Sequence, residues 1–162
     1  MRRRRANIRL LVYIKAVLDI ADERAGAGTP LDYILAVHDA HMAIEWLLRH
    51  YTGMWNGSFP ELIKKARELA GKGTPLAELL DEYREFLYRL NGVRNAAQHC
   101  AVVSETEAGG LVEEAREFVA EFVERCYGLR FEELSYTSLL STPEFKRLAE
   151  EAEEALRDRR YE

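Results

Sequence analysis

Few cysteines, few prolines and no long apolar run mark this chain of 162 residues. The two cysteines, Cys100 and Cys126, stand apart without a CxxC pair, which excludes a disulfide framework and a zinc knuckle. Both are expected to be buried as small hydrophobes. No apolar stretch approaches the roughly 20 residues of a membrane span, so no membrane partner is expected. Arg2 to Arg5 followed by Ile8, Leu10, Leu11 and Val12 imitate the start of a signal peptide, but Arg9, Lys15 and Asp19 interrupt it and no small-residue cleavage site follows. A cytoplasmic protein is expected. Cation excess is lacking too: 23 Lys and Arg against 28 Asp and Glu leave a formal charge of -5. Unselective coating of nucleic acid is thereby excluded, and any nucleic-acid contact must be local.

What is present is helical patterning. A hydropathic share of 48% with 31% charge gives one domain with a single core, not a disordered chain. Four stretches open on a hydroxyl residue followed by proline in the first turn: Thr29-Pro30, Ser58-Phe59-Pro60, Thr74-Pro75 and Ser141-Thr142-Pro143. Asp32, Glu61 and Glu144 sit three positions after the hydroxyl in three of them, the spacing of a capping box. Ser104 gives a fifth start. The pattern predicts helices over about 4–25, 30–51, 59–70, 75–100, 106–127 and 143–160. Without alternating strand patterns, the chain reads as all-α: an antiparallel up-and-down bundle over 1–140, with a charged C-terminal helix over 141–162. In that last helix Glu150, Glu151, Glu153 and Glu154 with Arg157, Arg159 and Arg160 predict a solvated, ion-paired face.

Two anomalies stand out. An apolar stripe runs through Leu76, Leu79, Leu80, Tyr83, Leu87, Leu90 and Ala97, and Arg94 falls in its middle. A guanidinium cannot shed its proton, so it must be paired, exposed in a cleft, or set at an interface. Asn95 and His99 share a flank, with His99 about 140° from Arg94 on a straight helix. On the 30–51 helix, His38, His41 and Glu45 share a stripe bordered by Leu31, Ile34, Leu35, Met42, Ile44 and Leu48. Glu45 opposite Arg94 is the expected ion pair. The trio could also ligate a metal, but no second carboxylate–histidine set completes such a site, so neither metal nor cofactor is expected.

The segment Arg94-Asn95-Ala96-Ala97-Gln98-His99, closing a long helix and followed by the amphipathic Leu111 to Val119 stretch, resembles the Arg-x(4–6)-His motif of the HEPN domain superfamily. Ala43 to Arg49 is similar to an earlier helix of that family, so the resemblance spans roughly residues 5 to 128. It implies a four- or five-helix bundle forming a two-fold homodimer, in many members a metal-independent endoribonuclease and often the toxin of a toxin–antitoxin pair. Arg94 and His99 of both subunits would then meet at the dimer axis. One subgroup carries a tyrosine two positions after the histidine, modified by a nucleotidyltransferase antitoxin; Ala101 stands there instead, which puts that partner in doubt.

The residue types suit the chemistry. RNA transesterification needs a base for the 2′-hydroxyl, an acid for the leaving 5′-oxygen and a cation for the phosphorane. His99 and Arg94 fit as catalytic groups, with Asn95, Glu45, His41 and His38 in support. Arg84, Tyr88 and Asn91, upstream on the same helix, could extend an RNA groove, although solvated helix residues are the plainer reading. The rival from another class is a non-catalytic HEPN-like module that binds a nucleotide or a protein.

Overall fold

The computed structural model describes residues 6–100, 103–140 and 142–157. Seven α-helices occur among them: α1 (Ile8–Ala25), α2 (Pro30–Thr52), α3 (Phe59–Ala70), α4 (Pro75–Glu82), α5 (Arg84–Cys100), α6 (Glu105–Tyr127) and α7 (Pro143–Arg157). Two short 3₁₀ turns, Phe131–Glu133 and Tyr136–Leu139, lie between α6 and α7. No strand occurs among the described residues, so the chain is an all-α helical bundle.

The start signals work as written. The Thr29, Thr74 and Ser104 hydroxyls accept the N–H of Asp32, Ala77 and Glu107, each at 3.2 Å, and Glu61 accepts the Ser58 N–H at 2.7 Å. Each bond satisfies a first-turn donor that has no partner inside its helix. Gly53 and Gly128 end α2 and α6 at a φ of 71°, a backbone region that glycine enters without the steric cost of a Cβ. The Ser141 cap expected for the last helix, its final residues 158–160 and the start of α1 before residue 6 lie outside the described residues.

One boundary is corrected. The single helix expected over 75–100 is two, α4 and α5, meeting at Tyr83 with φ -87° and ψ 9°. Backbone bonds still cross the junction, Tyr83 N–H to Leu79 at 2.9 Å and Leu87 N–H to Tyr83 at 2.9 Å. No Pro or Gly announces this joint; the Tyr83 ring lies against Phe118 (5.4 Å between centroids) and its hydroxyl donates to Glu121 at 3.0 Å. The α4 to α5 region is thereby tied to α6.

Helix α2 is central, packing on α1, α3, α5 and α6. The predicted stripe of α4 and α5 is inside: Leu76, Leu79, Leu80, Leu87, Leu90 and Ala97 are buried, with Tyr83 half-buried. Phe118 and Phe122 of α6 and Phe131 beyond it are the largest fully buried side chains. Cys126 is half-buried against this core, less enclosed than expected. Arg116 of α6 binds Asp19 and Asp22 of α1 and Glu132 of the first 3₁₀ turn, fastening the chain after α6 to the bundle.

Helix α7 buries none of its residues. It touches the bundle through the second 3₁₀ turn, where Ser135 donates to Glu153 at 2.7 Å. Among the described residues it carries the ion pairs Lys146–Glu150 at 3.8 Å and Arg147–Glu151 at 3.6 Å, while Arg159 and Arg160, expected to pair on this face, lie outside those residues. No helix is long and apolar enough to cross a membrane among the described residues.

Candidate active site

A cavity of about 560 Å³ opens between α2 and α5. Helix α2 supplies most of its wall, because residues 34, 35, 38, 41, 42, 45, 46 and 49 recur at three- and four-residue intervals on one side of the helix. His38, His41 and Glu45 line it, and Arg94 enters from α5. Sequence patterning thus anticipates four residues that the fold brings together. Asn95 and His99 do not line the cavity and are exposed. Arg84 and Tyr88 are exposed as well.

The expected Glu45–Arg94 pair is not formed. Glu45 accepts from Arg49 instead, Nε at 3.0 Å and Nη2 at 2.5 Å. The reason is proximity: Arg49 is one turn along the same helix, where i, i+4 side chains meet without bridging two elements. Its guanidinium also donates to the carbonyls of Met54 (3.3 Å), Trp55 and Gly57 (3.1 Å), which fixes the loop after α2. Arg94 donates through Nη1 to two neutral amides of its own helix, Asn95 Oδ1 at 3.0 Å and Gln98 Oε1 at 2.7 Å. Its Nε–H is buried without an acceptor among the described residues. A buried, unmet donor on a cation costs more than an ordinary lost hydrogen bond. Arg94 therefore presents its full positive charge with no carboxylate paired to it among the described residues.

His41 is held from three sides. Its Nε2 lies 3.2 Å from Asn91 Oδ1, its Nδ1 3.6 Å from Glu45, and its ring packs on Phe59 with centroids 4.2 Å apart. Asn91, read from sequence as an exposed groove residue, is half-buried and positions this imidazole. Burial pushes the His41 pKa below its ordinary 6.5, against the upward pull of Asn91 and Glu45. His38 is also lowered, by burial first and by the Arg94 charge second. Asp39, bonded to Arg24, is raised by burial.

These shifts predict how stability depends on pH. Unfolded imidazoles titrate at their ordinary 6.5 and the folded ones below it, so in that window the unfolded chain binds more protons and stability rises with pH. Thermal melts are expected to show a falling midpoint as pH drops from about 7.5 to about 5.5. His41→Gln is expected to flatten the slope; a midpoint constant or rising toward acid would contradict the neutral-imidazole assignment.

Asp39, Trp46 and Arg49 also line the cavity and are not among the expected site residues, while Met42, expected on the apolar border of the stripe, lines it too. Their signal was there: each is three, four or seven positions from His38, His41, Glu45 or another of their number on α2. Among the described residues no group of three His, Cys, Asp or Glu side chains is placed to hold a metal ion. Ala101, the position that bears on nucleotidyltransferase control, lies outside the described residues. Comparison with models of known families, with curated proteins and with solved structures finds no match to this chain.

Proposed function

We propose that this chain is a HEPN-type, metal-independent endoribonuclease, an antiparallel up-and-down bundle that works as a two-fold homodimer. The observation that carries the reading is Arg94: an unneutralised guanidinium in a cavity, heading the Arg94-x4-His99 motif. A guanidinium fork matches a phosphate without metal assistance, and imidazole supplies proton transfer near neutral pH. Within one chain Arg94 faces the cavity while His99 is exposed outside it, so a partner subunit is the economical way to complete the site.

In the proposed reaction the His99 imidazole takes the 2′-hydroxyl proton as that oxygen attacks phosphorus. Arg94 stabilises the phosphorane, and the departing 5′-oxygen takes back the proton held on the imidazolium, leaving a 2′,3′-cyclic phosphate, a 5′-hydroxyl and a neutral imidazole. Asn95 would orient the ribose or the partner imidazole. His38, His41 and Glu45 shape the cavity and its charge. The toxin half of a toxin–antitoxin pair is the setting that the resemblance implies, and Ala101, in place of the tyrosine of one subgroup, speaks against a nucleotidyltransferase-like antitoxin as the partner.

The test is cleavage of single-stranded RNA in EDTA, with product ends identified, beside light scattering at micromolar concentration. Cyclic-phosphate ends from a dimer are expected. A stable monomer would remove the composite site, and a strict need for added Mg²⁺ or Zn²⁺ would overturn the mechanism. The non-catalytic module keeps one observation in its favour: His41, Glu45 and Arg49 are bonded mainly to one another and to the fold. That reading predicts ligand binding in the cavity without cleavage of any RNA.

A further inference from the structure

The buried imidazole of His41 sits in a contact that only a proton can complete. Its Nε2 faces Asn91 Oδ1 at 3.2 Å, and an amide oxygen accepts but never donates, so Nε2 carries the ring hydrogen. Nδ1 is then a bare lone pair. It faces Glu45 Oε2 at 3.6 Å, two acceptors with no hydrogen between them and too far apart for a hydrogen bond. A second proton, on Nδ1, turns this repulsion into a charge-assisted bond of about 2.7–2.9 Å. The carboxylate must then approach by roughly 0.8 Å.

That carboxylate is already engaged. Glu45 Oε1 accepts both Nε and Nη2 of Arg49, at 3.0 and 2.5 Å. The Arg49 guanidinium in turn donates to the carbonyls of Met54, Trp55 and Gly57, so one chain of contacts runs from His41 through Glu45 and Arg49 to the loop after α2. The Met54 N–H donates to Thr52 and the Ser58 N–H to Glu61, at the two ends of that loop. Arg49 holds its middle.

The charged and titratable groups facing His41 are Glu45 and His38 of α2 and Arg94 of α5, while α3 brings the uncharged Phe59 ring. Glu45 and the Asn91 bond favour a proton on the ring, whereas burial, Arg94 and His38 oppose one and prevail. The ring is therefore neutral near pH 7 and gains its proton in acid.

We propose that His41 is a proton-operated latch: protonated at Nδ1, it draws the Glu45 carboxylate away from Arg49 and loosens residues 53–57. Protonating a buried imidazole is a local change of charge that biases the element bonded to it, here the loop. Glu45, Arg49 and His41 all line the α2–α5 cavity, so opening the latch also adds one positive charge beside Arg94. The latch operates without RNA and stands apart from the nuclease reading.

The test is nuclear magnetic resonance on the full, isotopically labelled chain. At a pH of about 7.5, imidazole nitrogen spectra are expected to show His41 neutral, with its hydrogen on Nε2. As the pH falls to about 5, backbone order parameters of Trp55 and Gly57 are expected to drop from about 0.85 to below about 0.6, with the midpoint of the His41 titration. The amides of α2 are expected to stay rigid over the same range. His41→Gln, which cannot gain the charge, is expected to keep the loop ordered in acid; should it fail to fold, the hydrogen position and shared midpoint in the parent chain still decide. His38→Gln is expected to leave the response in place. Glu45→Gln, lacking the shared charge, is expected to loosen the loop at both ends of the range. A hydrogen on Nδ1 at neutral pH, a His41 ring still neutral in acid, or loop order indifferent to pH would each overturn the proposal. So would a loop response that persists in folded His41→Gln, or a loss of order in α2 together with the loop, which is general unfolding.

Discussion

His99→Ala is expected to slow RNA cleavage by about 10²–10⁴-fold, the loss that follows removal of a positioned proton-transfer group. Arg94→Ala is expected to cost roughly 10²–10³-fold, the usual effect of removing one charge stabiliser from a transition state. The two act differently across pH. Without Arg94 the whole pH–rate profile is expected to drop with its shape kept, since a guanidinium stays charged throughout. Without His99 the profile is expected to change in shape as well as in height. Neither result should reflect unfolding: His99 is exposed and makes no hydrogen bond or ion pair with the described residues, so its removal is expected to change stability by less than about 0.5 kcal/mol. Cleavage that survived His99→Ala would shift attention to His38, which sits in the cavity beside the Arg94 charge.

The largest stability effect is expected at Phe118. Its ring is fully buried, 5.8 Å from Phe122 and 5.4 Å from Tyr83 between centroids. Phe118→Ala is expected to cost about 3–5 kcal/mol, from lost transfer energy and from the cavity left behind. It would also loosen the Tyr83 joint from which α5 carries Arg94 toward the cavity. Phe145→Ala in α7, at 65% exposure, serves as the control and is expected to fall within about 0.5 kcal/mol of the parent. Urea unfolding measures both. Equal costs at the two positions would mean that α6 does not anchor the bundle as described.

How much of this was legible beforehand follows from what each signal encodes. Caps are local chemistry, so Thr29, Ser58, Thr74 and Ser104 mark helix starts that the structure reproduces to within a residue. The joint at Tyr83 is tertiary: a ring packed on α6 leaves no Pro or Gly in the sequence to announce it. Periodicity placed His38, His41 and Glu45 on one face of α2, and they line one cavity with Arg94. It could not say which opposite charge Glu45 would take. Buried acids favour the nearest cation that costs least side-chain freedom, and Arg49, four residues on, outcompetes a guanidinium on another helix.

Central to the proposed function is a composite site, in which Arg94 of one protomer would act with His99 of its partner. Mixing the Arg94→Ala and His99→Ala proteins under conditions that exchange subunits tests it directly. Each variant alone is expected to be nearly inactive. In a mixed two-fold dimer one Arg94 and one His99 face each other across the axis, so cleavage is expected to return to roughly a quarter of the parent rate at equal mixing. Confirmed subunit exchange with no return of activity, from a parent that does cleave RNA, would contradict the shared site.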